Sequence, residues 1–320
     1  VYSIVPRMPP PRWSIVFLES YLICHVGVFI GCHRWASHQA FIATTSLKWF
    51  LSLLAAWCMQ GTFAHWAFLH RLHHRFCDQM PLDLQAPRAP SWVGYGHYSW
   101  FTMPVEHFYL SSHTNAEVII PDLLHDTELP RFAKEVVPAV QAHLCILGVI
   151  SFSYFCVESC CRHRERTEIS RNFKETLLKT FVVACWYFWL PCALSFQCVL
   201  LVIDAVHMWG DQPFEDAMSA SCNAKNNAFL MFPLLGENWH NNHHSTPHSA
   251  STWIFWHQID CQFLIIKLFE ILGIASDIVV VVPTESREGY SFDGVLLQVA
   301  CEWILNAFLL FLICLIISFN

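Results

Sequence analysis

Three short blocks of the 320-residue chain carry histidine at spacings that suit metal ligation. The first is Gly31-Cys32-His33-Arg34-Trp35-Ala36-Ser37-His38, an H-x4-H block. The second, His70-Arg71-Leu72-His73-His74, and the third, His240-Asn241-Asn242-His243-His244, both read H-x2-HH. On an α-helix, positions i, i+3 and i+4 share one face, so each triad can aim three imidazoles at one point. Imidazole suits iron, zinc, copper and nickel, while the lack of cysteine in both triads disfavours an iron–sulfur cluster or a thiolate-rich zinc site. Two triads and a pair are too many ligands for one ion, so two metal ions are the economical reading. His25, His65, His97, His107, His113, His125, His143, His163, His248 and His257 lack such spacing and read as ordinary polar residues.

The elements that must position these blocks are apolar. Residues 180–203 carry no charge and are long enough to cross a bilayer, as are 13–32 and 141–157, which contain Glu19, His25 and His143. A further apolar segment, 304–319, either spans or lies on the surface. Pro191 predicts a kink in the strongest span. The polar stretches 70–90 and 204–248 cannot sit in lipid and are expected to form a water-side cap. His38 and His70 must reach the same cluster, so the chain between them cannot cross the membrane once. The run Trp49–Met59 is therefore expected to be a buried or interfacial helix. The expected fold is an all-α integral membrane protein: a bundle of transmembrane helices, 1–320 as a single domain, with a cytosolic helical cap that holds a poly-histidine dimetal site. Val1 is not an initiator methionine, so a native amino-terminal segment is expected upstream.

Composition agrees: 55% of residues are hydrophobic and 13% charged, against roughly 25% charged in a soluble domain. Disorder is excluded, and a net charge of -7 argues against nucleic acid as a partner. The 15 cysteines are scattered, mostly within apolar runs, without any C-x2-C pair, and read as reduced thiols.

The constellation resembles the membrane fatty-acyl desaturases of the stearoyl, delta-9 type. Gly236-Glu237-Asn238-Trp239-His240-Asn241-Asn242-His243-His244 is similar to that family's G-E-x-W-H-N-x-H-H. Trp256 to Asp260 and Ile274 to Asp277 resemble its W-x-x-x-D and G-L-A-x-D, and Asp83-Leu84-Gln85-Ala86-Pro87 its D-P-H-S-P with the histidine replaced. His207 stands where the family's N-x3-H motif places a further ligand, with Ile203 in place of the asparagine.

The resemblance implies a non-haem di-iron centre ligated by His33, His38, His70, His73, His74, His207, His240, His243 and His244, with Asp204 and Asn241 as supporting residues. It implies oxygen-dependent insertion of a cis double bond, at delta-9, into a saturated acyl chain carried on CoA or on a lipid, as part of lipid biosynthesis. The alternatives are an acyl hydroxylase on the same di-iron scaffold and a catalytically impaired metal-binding membrane protein. Phe68-Leu69 replaces the Arg-Asp pair of animal acyl-CoA enzymes, and Leu124-His125-Asp126 to Arg131-Phe132 resembles the plant and cyanobacterial pattern. No fused cytochrome b5 motif is present, so electrons are expected from a separate donor, cytochrome b5 in the endoplasmic reticulum or ferredoxin in a plastid. Arg7, Arg12 and the basic cluster from Arg162 to Lys179 would then lie opposite the histidines, against the positive-inside rule. The iron and electron supply outweigh this charge count, so the histidine face is expected in the cytosol; the expected membrane is that of the endoplasmic reticulum, with a plastid membrane as the other candidate.

Overall fold

A computed structural model describes residues 11–79, 82–83, 85–87, 115–165, 173–283, 286, 300, 304 and 307, with 157–165 and 173–177 by backbone alone. His97, His107, His113 and most of 304–319 lie outside the described residues, and so does the side chain of His163. Nearly all regular structure is helical. Among the described residues three helices are long and apolar enough to cross a membrane, Trp13–Ser37, Val136–Cys156 and Leu178–Met208, at the places the apolar runs predict.

Helix α1 (Trp13–Ser37) begins with α pitch and widens to π-type pitch from Leu22 to Ser37. The widening explains how an H-x4-H block can work. Five residues on an α-helix turn through about 500°, which leaves the two side chains about 140° apart. In the wider winding the His38 amide donates to the His33 carbonyl, and the two rings come within 5.0 Å centre to centre.

After β1 (Ile42–Ala43), helix α2 (Thr45–Cys58) starts at Thr44, whose hydroxyl accepts from the Leu47 amide. Fourteen residues rise only about 21 Å, short of a bilayer crossing. Leu47, Leu51, Leu54 and Ala55 face the core, whereas Trp49, Phe50 and Leu53 are exposed. The run expected to be a buried or interfacial helix is thus a short helix with one face buried and the other exposed. It lies directly on α1, because Gly27 and Gly31 leave room: a Cβ on Gly27 would meet the Leu54 carbonyl carbon at 2.8 Å, and one on Gly31 the Phe63 ring at 3.1 Å. The chain reverses through Met59, in the left-handed region, and Gly61, and helix α3 (Phe63–Phe76) returns toward the first block. Thr62 caps α3 by accepting from the His65 amide.

Two short helices, α4 (Ala116–Ile119) and α5 (Pro121–His125), precede α6 (Val136–Glu165), which crosses away and packs on α2 and on the start of the next helix. Helix α7 (173–208) returns beside α1 to the histidine side. Pro191 does not break it; the turn before the proline, Cys185–Trp189, is wound to π-type pitch, so that the Leu190 amide reaches the Cys185 carbonyl. Helix α8 (His240–Ser245) carries the third block, and α9 (Cys261–Ile271) follows, capped by Asp260 accepting from the Phe263 amide. Strand β2 (Ala275–Ser276) then pairs antiparallel with β1, Ile42 opposite Ser276 and Ala43 opposite Ala275. This pairing brings the Ile274–Asp277 stretch under the first block.

One expectation is corrected. Cys77 and Cys222 are not free thiols: they are joined by a disulfide across 145 residues of sequence, a separation that no local spacing reveals. Nine other cysteines among the described residues are free.

Candidate metal centre

The ends of α1, α3 and α7, with all of α8, bring the nine histidines into two adjoining groups. His33, His38, His70, His74 and His243 form the first, their candidate ligand atoms all within 4.8 Å of one another. Its Nε2 atoms stand 2.9 Å apart for His33 and His243, 3.0 Å for His38 and His70, 3.1 Å for His70 and His74, and 3.0 Å for His74 and His243. In the second group, Nε2 of His244 lies 3.3 Å from that of His73 and 3.2 Å from that of His240, which is 3.1 Å from His207. All nine residues are buried.

The opposite edge of these rings fixes which nitrogen bears the proton. His73 Nδ1 donates to Asp83 at 2.9 Å and His244 Nδ1 to Asp216 at 2.7 Å, while Nδ1 of His207 lies 3.2 Å from Asp78 and that of His33 2.8 Å from Glu237. His70 Nδ1 donates to the Gln85 carbonyl oxygen at 3.2 Å. A carboxylate or amide oxygen only accepts, so the proton sits on Nδ1 and the Nε2 lone pair points inward. His73 and His244 thus turn two lone pairs toward each other at 3.3 Å, which repel, and a cation placed beside them converts that repulsion into coordination. The donor set therefore fits metal ions.

The surrounding charges support neutral, ligand-ready rings. Burial pushes the pKa of His38, His70, His74, His240, His243 and His244 well below the ordinary value, and the neighbouring imidazoles push the same way. Burial also opposes charge on His73, but Asp83, with Asp78 and Asp216 nearby, holds its pKa above the usual one. Burial alone would raise Glu237, yet His33 and Arg34 hold it down at about 2.

Two arginines inside the motifs lock the blocks together without a metal. Fully buried Arg34 donates to Glu237 Oε1 at 2.8 Å, to Asp260 Oδ2 at 2.8 Å and to the Ala250 carbonyl at 2.7 Å, joining the first block to the third. Gly236, with φ of +140°, lets this corner close, since a Cβ there would stand 2.6 Å from Asp260 Oδ1. Arg71 donates to the Ser37 and Ala36 carbonyls at 2.9 and 2.8 Å and makes a two-pronged pair with Asp122 at 2.7 Å, joining the second block to the first.

Of the supporting residues expected from sequence, neither touches the rings in the expected way. Asp204 faces a separate groove with Gln197, Leu201 and Met208, while its neighbour Ile203 faces the histidine cavity, because adjacent helical residues point in different directions. Asn241 holds the Phe214 backbone through both of its amide atoms, and thereby the loop that carries Asp216. The residues that do reach the imidazoles include Asp78 and Asp216, which no motif marks. Asp83 and Gln85 do so from the stretch that resembles D-P-H-S-P. Among the remaining histidines, His25 joins Gln262, His248 donates to the His38 carbonyl and His125 pairs with Glu117 at the surface.

No protein-family model matches the chain. Among curated proteins it is similar to an sn-2 palmitoyl-lipid 9-desaturase of Nostoc sp. (strain 36), 27% identical over 87% of this chain and 86% of the relative. It is also similar to the Delta-9 acyl-lipid desaturase 2 of Arabidopsis thaliana, 27% identical over 86% of this chain and 77% of the relative. An acyl-CoA C20 Delta5-desaturase of Anemone leveillei is 28% identical over 83% of this chain and 72% of its own length. These relatives differ in carrier and in the carbon attacked, and what they share is desaturation of an acyl chain. A similarity that runs along most of every chain, in a helical protein with this histidine centre, sets the present one beside them: it is similar to the membrane fatty-acyl desaturases along most of its length, and the enzyme class it shares with them is oxidoreductase.

Proposed function

We propose that the protein introduces a cis double bond at the delta-9 position of a saturated long-chain acyl group, using dioxygen and two non-haem irons. The observation that carries this reading is the convergence of nine Nε2 atoms, five in one group and four in the other, with Nδ1 of five rings tied to acceptors. His33, His38, His70, His74 and His243 would hold one iron, and His73, His207, His240 and His244 the other. When bound, the irons supply the oxidant that an unactivated C–H bond requires. The chain supplies the rest. Glu237, Asp83, Asp78 and Asp216 orient the rings and raise their basicity as ligands. Phe29, Trp66, Val199, Val202 and Ile203 wall the cavity beside His70 and His240, an apolar surface that excludes water and holds the reacting methylenes in register. Ile203 presents only carbon there, so it cannot bind a water as an asparagine would.

In this reading the histidine face is cytosolic, electrons arrive from a separate donor, cytochrome b5 or ferredoxin, and the acyl group is carried on CoA or on a lipid. The membrane is that of the endoplasmic reticulum, with a plastid membrane as the other candidate. The test is expression of the full-length protein in yeast lacking its own delta-9 desaturase, with gas chromatography of double-bond positions. New delta-9 monoenes that vanish with His243→Ala are the expected result. A hydroxy-acyl product without an alkene, or no product from iron-loaded protein supplied with its donor, would overturn it.

A further inference from the structure

The Cys77–Cys222 disulfide does not brace a surface loop; it forms part of the wall of the second histidine group. Cys77 follows His73 by one helical turn at the end of α3 and is fully buried, and Cys222 is buried beside it. The Cys77 sulfur and one ring nitrogen each of His73, His207 and His244 all lie within 4.8 Å of one another. The Cys222 sulfur is 3.2 Å from His244 Nδ1, on the side where Asp216 receives that nitrogen's proton.

A sulfur bonded to another sulfur is a poor metal ligand, whereas a thiolate is a strong one. We propose that the disulfide keeps Cys77 out of the second metal position, and that its reduction makes Cys77 a ligand beside His73, His207 and His244. An all-nitrogen position would thereby become a mixed nitrogen–sulfur one. The proposal rests on the metal-holding reading above. Mixed sites of this kind favour zinc, whereas imidazole alone accommodates iron. Reduction would therefore tilt the second position toward a metal without redox chemistry, making the pair a redox-controlled determinant of which metal is held.

The electrons come from a dithiol. Its thiolate attacks one sulfur to give a mixed disulfide, and its second thiol resolves that bond. The reductant leaves as a disulfide, and Cys77 and Cys222 are left as thiols. On metal binding the S–H bond of Cys77 breaks, and its proton passes to water. Access needs only the loop around Cys222 to open. That loop is held to the end of α3 by Ser221 donating to the Cys77 carbonyl, Gln79 donating to Ser221, and the Asn223 amide donating to Asp78.

The test uses purified full-length protein loaded with zinc, read by X-ray absorption at the zinc edge. A phosphine serves as reductant because it does not compete for the metal; it takes oxygen from water, becomes the oxide and leaves two thiols. Oxidised wild type is expected to show nitrogen neighbours at about 2.0–2.1 Å only, and reduced wild type an added sulfur at about 2.3 Å. Cys222→Ser should show that sulfur without reductant, and Cys77→Ser should never show it. Zinc held by nitrogen alone in reduced wild type and in Cys222→Ser overturns this inference and leaves the histidine centre standing. Sulfur persisting in reduced Cys77→Ser also overturns it, since Cys222 would then be the ligand. Failure of every form to bind zinc overturns the metal reading and this inference together.

Discussion

Asp216 decides which nitrogen of His244 faces the cluster, and it does so from a loop 28 residues away in sequence. As a carboxylate it can only accept, which leaves the His244 Nε2 lone pair free to ligate. With its oxygen held by the Met218 and Ser219 amides, an asparagine in its place would turn its amide nitrogen to Nδ1 and move the proton onto Nε2. Asp216→Asn is therefore expected to weaken metal retention by about 10- to 100-fold, the usual penalty for losing such a partner. Metal content after dialysis against graded chelator would show it, and Asp216→Glu should recover part of the loss. Unchanged retention in Asp216→Asn would mean that the carboxylate does not set the tautomer. At this scale the sequence was legible where spacing repeats, as in the two H-x2-HH triads. It was silent about Asp216, because a loop aspartate has no period and its partner is chosen only by the folded chain. Asp78 was nearer to legible, standing four residues after His74, yet it pairs with His207 on another helix.

Between elements, close approach matters more than polarity. Gly27 and Gly31, four residues apart on α1, let α2 rest close against it, its backbone over Gly27 and its Leu51 side chain over Gly31, in the small-residue manner of membrane helix pairs. Since α2 leads directly into α3, its seat sets where the second histidine triad arrives. Gly27→Leu is expected to push α2 off that seat, lower stability by about 1–3 kcal/mol as overpacking does, and reduce metal content with it. Thermal melting in detergent and metal analysis would measure both. Gly148→Leu is the matched control, as nothing lies within 4 Å of a Cβ there, and it should leave both readouts unchanged. The role of the two glycines was not read from the sequence, because spacing alone does not name α2 as the partner. The three long helices were readable from their apolar runs, since lipid leaves a chain no polar alternative. The π-type winding of α1 was not, because pitch answers to packing and to where His38 must end.

For the whole molecule, the arginine locks carry a consequence for assembly. Arg34 holds the first block to the third and Arg71 holds the second to the first, using carboxylates and carbonyls rather than metal. Breaking one partner of a buried pair such as Arg34–Asp260 typically costs about 3–5 kcal/mol, because it strands the other charge, whereas the Arg71–Asp122 pair is partly exposed and Arg71 also holds the first block through two carbonyls. Chelation is accordingly expected to lower the melting temperature while leaving helical circular dichroism unchanged, and added iron should restore the original melting point. Loss of helix on chelation would show instead that the metal, not the arginines, joins the blocks. A centre shaped in advance also alters the timing of a cell's response. Under the proposed function, protein already inserted in the membrane during iron shortage would stand idle but intact. When iron returns, unsaturated lipid would reappear at the pace of metal delivery, without waiting for transcription, translation or membrane insertion of new copies.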